Sequence, residues 1–173
     1  MTTLALPAAR TRHRDAPRVL DAERLGDHLD RLYRAALGLT GSPADAEDLV
    51  QEVYVRVLAK PRHLTGSDDL GYLLRVLRNT FISGRRTAAR RPATATAPED
   101  FERFEASGAG PERAVEVREL YAGIAELPDH QRDALVAVDL LGLSYKEAAA
   151  SLKVPTGTIM SRLFRARQAL AAA

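Results

Sequence analysis

The chain has 173 residues, 46% of them apolar and only 5% aromatic, with a formal net charge of +2. That is enough for one large domain or two small ones with real cores. The absence of cysteine excludes disulfides, thiol catalysis, zinc ribbons and a thiol redox sensor. No apolar run approaches the roughly 18–20 residues of a membrane span. Alanine and leucine dominate over β-branched residues, which favours helix over sheet.

In chain order, residues 1–21 carry Arg10, Arg12, Arg14 and Arg18 without a signal-peptide core, and read as a cytosolic, disordered basic tail. Leu25, Leu29, Leu32, Tyr33, Ala36 and Leu37 follow helical spacing, and Gly41 closes that helix. Ser42-Pro43-Ala44-Asp45 predicts an N-cap with proline at the first helical position. The next helix carries Ala46, Leu49, Val50, Val53, Val57 and Leu58 on one stripe. Residues 61–67 read as a loop. A third helix near 69–90 places Leu70, Leu73, Leu74, Leu77 and Phe81 on one face.

The stretch PATATAPEDFERFEASGAGP, residues 92–111, reads as an acidic flexible linker. It divides a first domain (22–91) from a second (112–173). In the second, Ala114, Val117, Leu120, Tyr121 and Ile124 make a helix ended before Pro128. Asp129 caps the next, which runs to about Leu141 and is broken by Gly142. Ser144 and Glu147 have capping-box spacing, Lys153-Val154-Pro155 is a turn, and Thr156 or Gly157 opens a final helix. The expected fold class is all-α: two small helical domains, the C-terminal one a helix-turn-helix.

Charge is segregated along the chain. Residues 35–55 hold no Lys or Arg but hold Asp45, Glu47, Asp48 and Glu52. Residues 70–98 hold no acid but hold Arg75, Arg78, Arg85, Arg86, Arg90 and Arg91. After Glu147 the charged residues are Lys153, Arg162, Arg165 and Arg167. Such blocks suggest separate contact surfaces.

Three constellations carry function. In the final helix Ile159, Leu163, Ala166 and Leu170 form the apolar stripe. Thr158, Ser161, Arg162 and Arg165 occupy another face, with the side-chain types that meet phosphates and base edges in a major groove. An amphipathic helix with a solvated arginine face is the plainer reading. In the third helix Arg75, Arg78, Asn79, Ile82, Arg85 and Arg86 lie off the leucine stripe. Tyr72 and Phe81 could stack on unpaired bases, although Phe81 also suits the core and the arginine row also suits water. Asp45, Asp48 and Glu52 share one face of the second helix. With no histidine or glycine loop beside them, a protein-binding or solvated face fits better than catalysis or metal binding.

At this point a resemblance becomes specific. Residues 39–54, LTGSPADAEDLVQEVY, are similar to region 2 of extracytoplasmic-function sigma factors of the sigma-70 superfamily. Residues 73–83, LLRVLRNTFIS, resemble the helix of that region that engages the −10 element. LPDHQRDAL (127–135), GLSYKEAA (142–149) and VPTGTIMSRLFRAR (154–167) resemble region 4.

The resemblance implies an alternative sigma factor, not an enzyme and without cofactor or metal, that works in the cytoplasm. Its partners would be core RNA polymerase, through the β′ clamp helices and also the β flap, and promoter DNA. The family is often held inactive by an anti-sigma factor. Asp45, Asp48, Leu49, Gln51 and Glu52 fall where the family docks on β′. Tyr72, Arg75, Arg78, Asn79, Arg85 and Arg86 fall on −10 DNA, and the loop from Pro61 to Asp69 matches the segment that captures a flipped base. Thr156, Thr158, Ser161, Arg162 and Arg165 fall in the −35 helix, and the linker matches a segment threaded through polymerase channels. Three residues depart from the family pattern: Tyr72 where Trp is usual, Met160 where Lys or Arg is common, and Lys153 where Gly is common. A left-handed Lys153 would cost about 1 kcal/mol. The competing reading is a sigma-like mimic that sequesters an anti-sigma factor and never touches DNA.

Overall fold

The computed structural model describes residues 18–60, 63–64, 69–88 and 111–172. The tail reading over residues 1–17, residues 61–62 and 65–68 of the loop, and the linker reading at 92–110 lie outside them.

The N-terminal helices are set by their ends. The first apolar stripe, expected as one helix, is two: α1 (Ala22–Gly26) and α2 (Leu29–Thr40). Asp21 caps α1 by accepting from the Arg24 amide at 3.0 Å. The chain turns at Asp27 and His28, leaving Leu29 45% exposed while Leu25 and Leu32 stay fully buried. Gly41 ends α2 at φ 71°, a left-handed position that suits glycine. Ser42 then caps α3 (Pro43–Ala59), its hydroxyl accepting from the Asp45 amide, with Pro43 at the first helical position. Five of the six stripe residues of α3 are buried. Leu58, near the helix end, is not.

Of the segment expected as a tail over 1–21, only residues 18–21 are described, and they are ordered against the helices. Arg18–Val19 (β1) pair antiparallel with His63–Leu64 (β2), and Leu20 is buried. The short ladder interrupts the otherwise helical order and gives the 61–67 loop a fixed point. Backbone pairing and burial of Leu20 outweigh the polar composition around them. Helix α4 (Asp69–Ala88) follows, with Leu73, Leu74 and Leu77 in the core.

In the C-terminal half, α5 (Pro111–Glu126) buries Tyr121 and Ile124 but leaves Leu120 exposed. Helix α6 (Asp129–Leu135) starts one residue earlier than expected. Pro128 is its N-cap, and Asp129 is already helical with no side-chain cap bond. The helix does not run uniformly to Leu141. It passes into a π segment (Val136–Leu140), where the Leu141 amide reaches back to the Val136 carbonyl. Gly142 (φ 77°) ends it. The Ser144–Glu147 capping box of α7 (Tyr145–Leu152) is complete in both directions. Lys153 takes φ 56° and ψ 47° at its end. After Pro155, α8 (Thr156–Ala171) packs Ile159, Leu163 and Ala166 inward.

The two halves do not stand apart. One continuous core joins Leu32, Leu37 and Leu77 to Val136, Leu141 and Ile159. Helix α2 lies against α5 and the π segment, and α4 lies against α7. Gly38 makes this possible: a Cβ there would come within 2.5 Å of Leu140 Cδ1 and 3.3 Å of a Val136 methyl.

Candidate nucleic-acid and protein interfaces

The acidic face of α3 is built as the spacing predicts. Asp45, Asp48, Gln51 and Glu52 are exposed, whereas Leu49 is 7% exposed and belongs largely to the core. Glu52 is tied to Arg56 at 2.6 Å along the same helix. Asp45, Asp48, Leu49 and Glu52 line a groove of about 510 Å³ together with Phe81 and Arg85 of α4 and Ala125 and Arg132 of the C-terminal half. Leu49 therefore still borders the face that the sequence assigned to it.

The −10 candidates divide between two sides of α4. Tyr72, Arg75 and Asn79 line an open groove of about 420 Å³ with Val76, Leu64, Arg56 of α3 and Lys60 at the C-cap of α3. Sequence reasoning missed Arg56 and Lys60, which sit at the end of the far helix. Their only signal was a pair of cations, four residues apart, at the end of an otherwise acidic helix. On the other side, Arg78 and Arg85 turn toward the C-terminal half. Arg78 Nε donates to Asp133 Oδ2 at 2.6 Å, and Arg85 Nη1 donates to Asp129 Oδ1 at 3.3 Å. Arg75 Nη1 reaches Ser151 Oγ at 3.5 Å. Arg86 is exposed.

Burial pushes the Asp133 carboxyl above the ordinary carboxylate value, with the Arg78 hydrogen bond and charge, the Arg132 charge and the Asp129 charge acting as smaller influences. Phe81 is half-buried, with the guanidinium carbons of Arg132 and Arg85 at 5.4 and 5.7 Å from its ring centre. It is thus a cation–π partner within the protein, closer to the core reading than to a free stacking platform.

On α8, Thr156, Ser161 and Arg165 are exposed, and Thr158 and Arg162 are half-buried. The Ser161 hydroxyl donates to the Thr158 carbonyl at 3.0 Å. Arg167, the last basic residue of this helix, is held by Asp139 of the π segment through two bonds of 3.1 and 2.7 Å. Met160 and Phe164 are both more than half exposed on the same helix. Among the described residues no cluster of His, Cys, Asp or Glu could hold a metal ion, and no helix is long and apolar enough to cross a membrane.

The family model for sigma-70 region 2 matches residues 25–91, and that for sigma-70 region 4 matches residues 117–170. The ECF RNA polymerase sigma factor SigM of Bacillus subtilis is 33% identical over 148 residues, covering 84% of this chain and 89% of that protein. The chain belongs to the extracytoplasmic-function sigma factors. As a sigma factor it is a non-enzymatic transcription-initiation factor of the sigma-70 family. The ECF sigma factor SigE of Mycolicibacterium smegmatis is 38% identical over 152 residues. Those residues are 86% of this chain but only 59% of that relative, so the chain spans about three-fifths of its length. The solved sigma factor RpoE of Bartonella quintana, in complex with the anti-sigma factor NepR, superposes with a TM-score of 0.65. It is 28% identical, over 86% of this chain and 92% of that one.

Proposed function

We propose that this sigma factor binds core RNA polymerase and directs it to promoters by recognising −10 and −35 elements. The acidic face of α3, with Asp45, Asp48, Gln51 and Glu52 around Leu49, docks on the β′ clamp helices. The groove between α3 and α4 takes unpaired −10 bases, with Tyr72 as the stacking surface, Asn79 as a base-edge partner and Arg75 on the backbone; the exposed Arg86 extends the basic row, whereas Arg78 and Arg85 are held by Asp133 and Asp129. Thr156, Thr158, Ser161, Arg162 and Arg165 of α8 read duplex −35 DNA. The division of the chain into 22–91, a linker over 92–111, and 112–173 follows from this division of labour, as does a cytoplasmic location.

One observation carries the reading. Two cations from the C-terminal end of α3 and its cap, a tyrosine, an arginine and an asparagine surround one open groove. That combination suits a single strand: backbone charge is matched while an aromatic face accepts any base. Trapping bases there offsets the few kcal/mol of unstacking per base and favours the melted promoter. A mimic that only sequesters an anti-sigma factor leaves this groove and the basic rows without a task. Control by an anti-sigma partner is supported by the Bartonella quintana RpoE–NepR complex.

The test is run-off transcription with purified core polymerase on promoters selected from a genomic library. Stimulated, promoter-specific transcripts are expected. Sequestration of an anti-sigma factor with no transcript from any template would replace this function with the mimic.

A further inference from the structure

Helix α8 turns more than hydroxyls and guanidiniums outward. With Ile159, Leu163 and Ala166 buried, the opposite side holds Gly157, Met160, Ser161, Phe164 and Arg165, all exposed. Met160 and Phe164 are one helical turn apart, so they stand in a row beside the parallel row of Ser161 and Arg165. They are also the two most exposed large apolar side chains of the helix, at 53% and 62%. Single exposed hydrophobics scattered over a surface are ordinary. These two are adjacent, and they border the polar row assigned to the −35 duplex. One turn before them Gly157 carries no side chain, and a Cβ there would meet nothing within 4 Å. The row is therefore open from the N-terminal end of the helix, the end that meets base edges in a helix-turn-helix. No Asp or Glu lies on α8, so nothing on this helix repels a polyanion brought against the strip.

We infer that Met160 and Phe164 determine promoter specificity by reading thymine methyl groups of the −35 duplex from the major groove. This rests on the sigma-factor reading above and names the class of sequence that α8 selects. The C5 methyl of thymine is the apolar group that base pairs project into the major groove. The other marks there are hydrogen-bond donors and acceptors. Met160 and Phe164 cannot satisfy those marks, and covering one without a partner costs free energy. Covering a methyl group removes apolar surface from water on both sides and is favourable. The face is thus divided: Ser161 and Arg165 supply hydrogen bonds and charge, and the strip beside them selects A·T pairs whose thymine faces it.

Uracil isolates this contact, because it keeps every hydrogen-bonding group of thymine and lacks only the methyl. Promoters selected from a genomic library should carry thymine under the strip. Synthetic duplexes with each −35 thymine replaced in turn by uracil are titrated with the holoenzyme. At one or two positions wild type should lose about fourfold in affinity per methyl removed. The Met160→Ala, Phe164→Ala double variant should bind the thymine duplex more weakly and no longer distinguish it from the uracil duplex. Met160→Leu and Phe164→Leu, which keep an apolar end, should retain the preference. Both side chains are exposed, so co-elution with core polymerase should be unchanged in every variant. A wild type indifferent to uracil at every position overturns the inference, as does a double variant that keeps the full preference. Loss of co-elution in the double variant would make the strip a protein contact and overturn it too. In each of these cases a holoenzyme that still prefers the promoter to scrambled duplex leaves the sigma-factor reading standing. A holoenzyme with no such preference removes that reading, and the inference with it.

Discussion

Arg78 of α4 and Asp133 of α6, 55 positions apart in sequence, meet at 2.6 Å across the two halves of the molecule. Asp133 is 7% exposed, while the arginine side chain is 37% exposed. Solvent therefore screens part of the attraction, and a double-mutant cycle with Arg78→Gln and Asp133→Asn should show a coupling of about 1 kcal/mol by urea unfolding. A coupling of zero would mean that the pair is not held in solution.

The same carboxylate gives a pH dependence. Burial raises its pKa above the unfolded value, with Arg78 and Arg132 opposing and Asp129 reinforcing the rise. The folded chain then holds more protons than the unfolded chain in the window between the two values. Stability accordingly falls as pH rises through that window, just above the ordinary carboxylate range. Asp133→Asn should remove this component from the urea midpoint measured against pH. An unchanged profile would assign the dependence to other groups.

Glu147 has the opposite sign. Hydrogen bonds from the Ser144 hydroxyl and amide hold its carboxyl below the ordinary value. Its contribution is present above the unfolded pKa and is lost as pH falls through the lowered one. Ser144→Ala should cost about 1 kcal/mol by thermal unfolding at neutral pH and less in acid. Equal losses at both would contradict the reciprocal cap.

Lys153 is the one described non-glycine residue with positive φ. Lys153→Gly should relieve up to about 1 kcal/mol of strain, partly offset by the greater freedom of the unfolded chain. A small rise in melting temperature is expected, with −35 DNA binding unchanged. A fall would show that the lysine stem contributes packing that outweighs the strain.

The two candidate interfaces should separate genetically. Asp48→Arg should abolish core binding, read by co-elution with core polymerase, and leave binding of the isolated chain to −35 duplex intact. Arg165→Ala should weaken duplex binding across sequences and lower the slope of log affinity against log salt by about one. Loss of both activities in Asp48→Arg would collapse the division of labour.

Local rules settled much of this molecule before any packing was considered. Ser42 followed by Pro43, Gly41 and Gly142 at left-handed positions, and the Ser144–Glu147 box each act within a few residues, so their geometry is readable in one dimension. The periodic stripes of α3, α4 and α8 likewise place Asp45, Asp48 and Glu52 on one exposed face, and Thr156, Ser161 and Arg165 on another. What the sequence could not contain was decided by neighbours distant in the chain. The ladder between β1 and β2 needs a strand 45 residues away, and the groove at Tyr72 and Asn79 needs Arg56 and Lys60 from the end of a second helix. Periodicity alone gave no reason for the π segment, whose Leu140 faces Gly38 of the other half. Above all, the basic row of α4 reads as one uniform surface in sequence. Only the tertiary structure turns Arg78 and Arg85 toward Asp133 and Asp129 and leaves Tyr72 and Asn79 at an open groove. Charge is a property of a residue, but whether that charge is free to meet DNA depends on what the fold brings within about 3 Å of it.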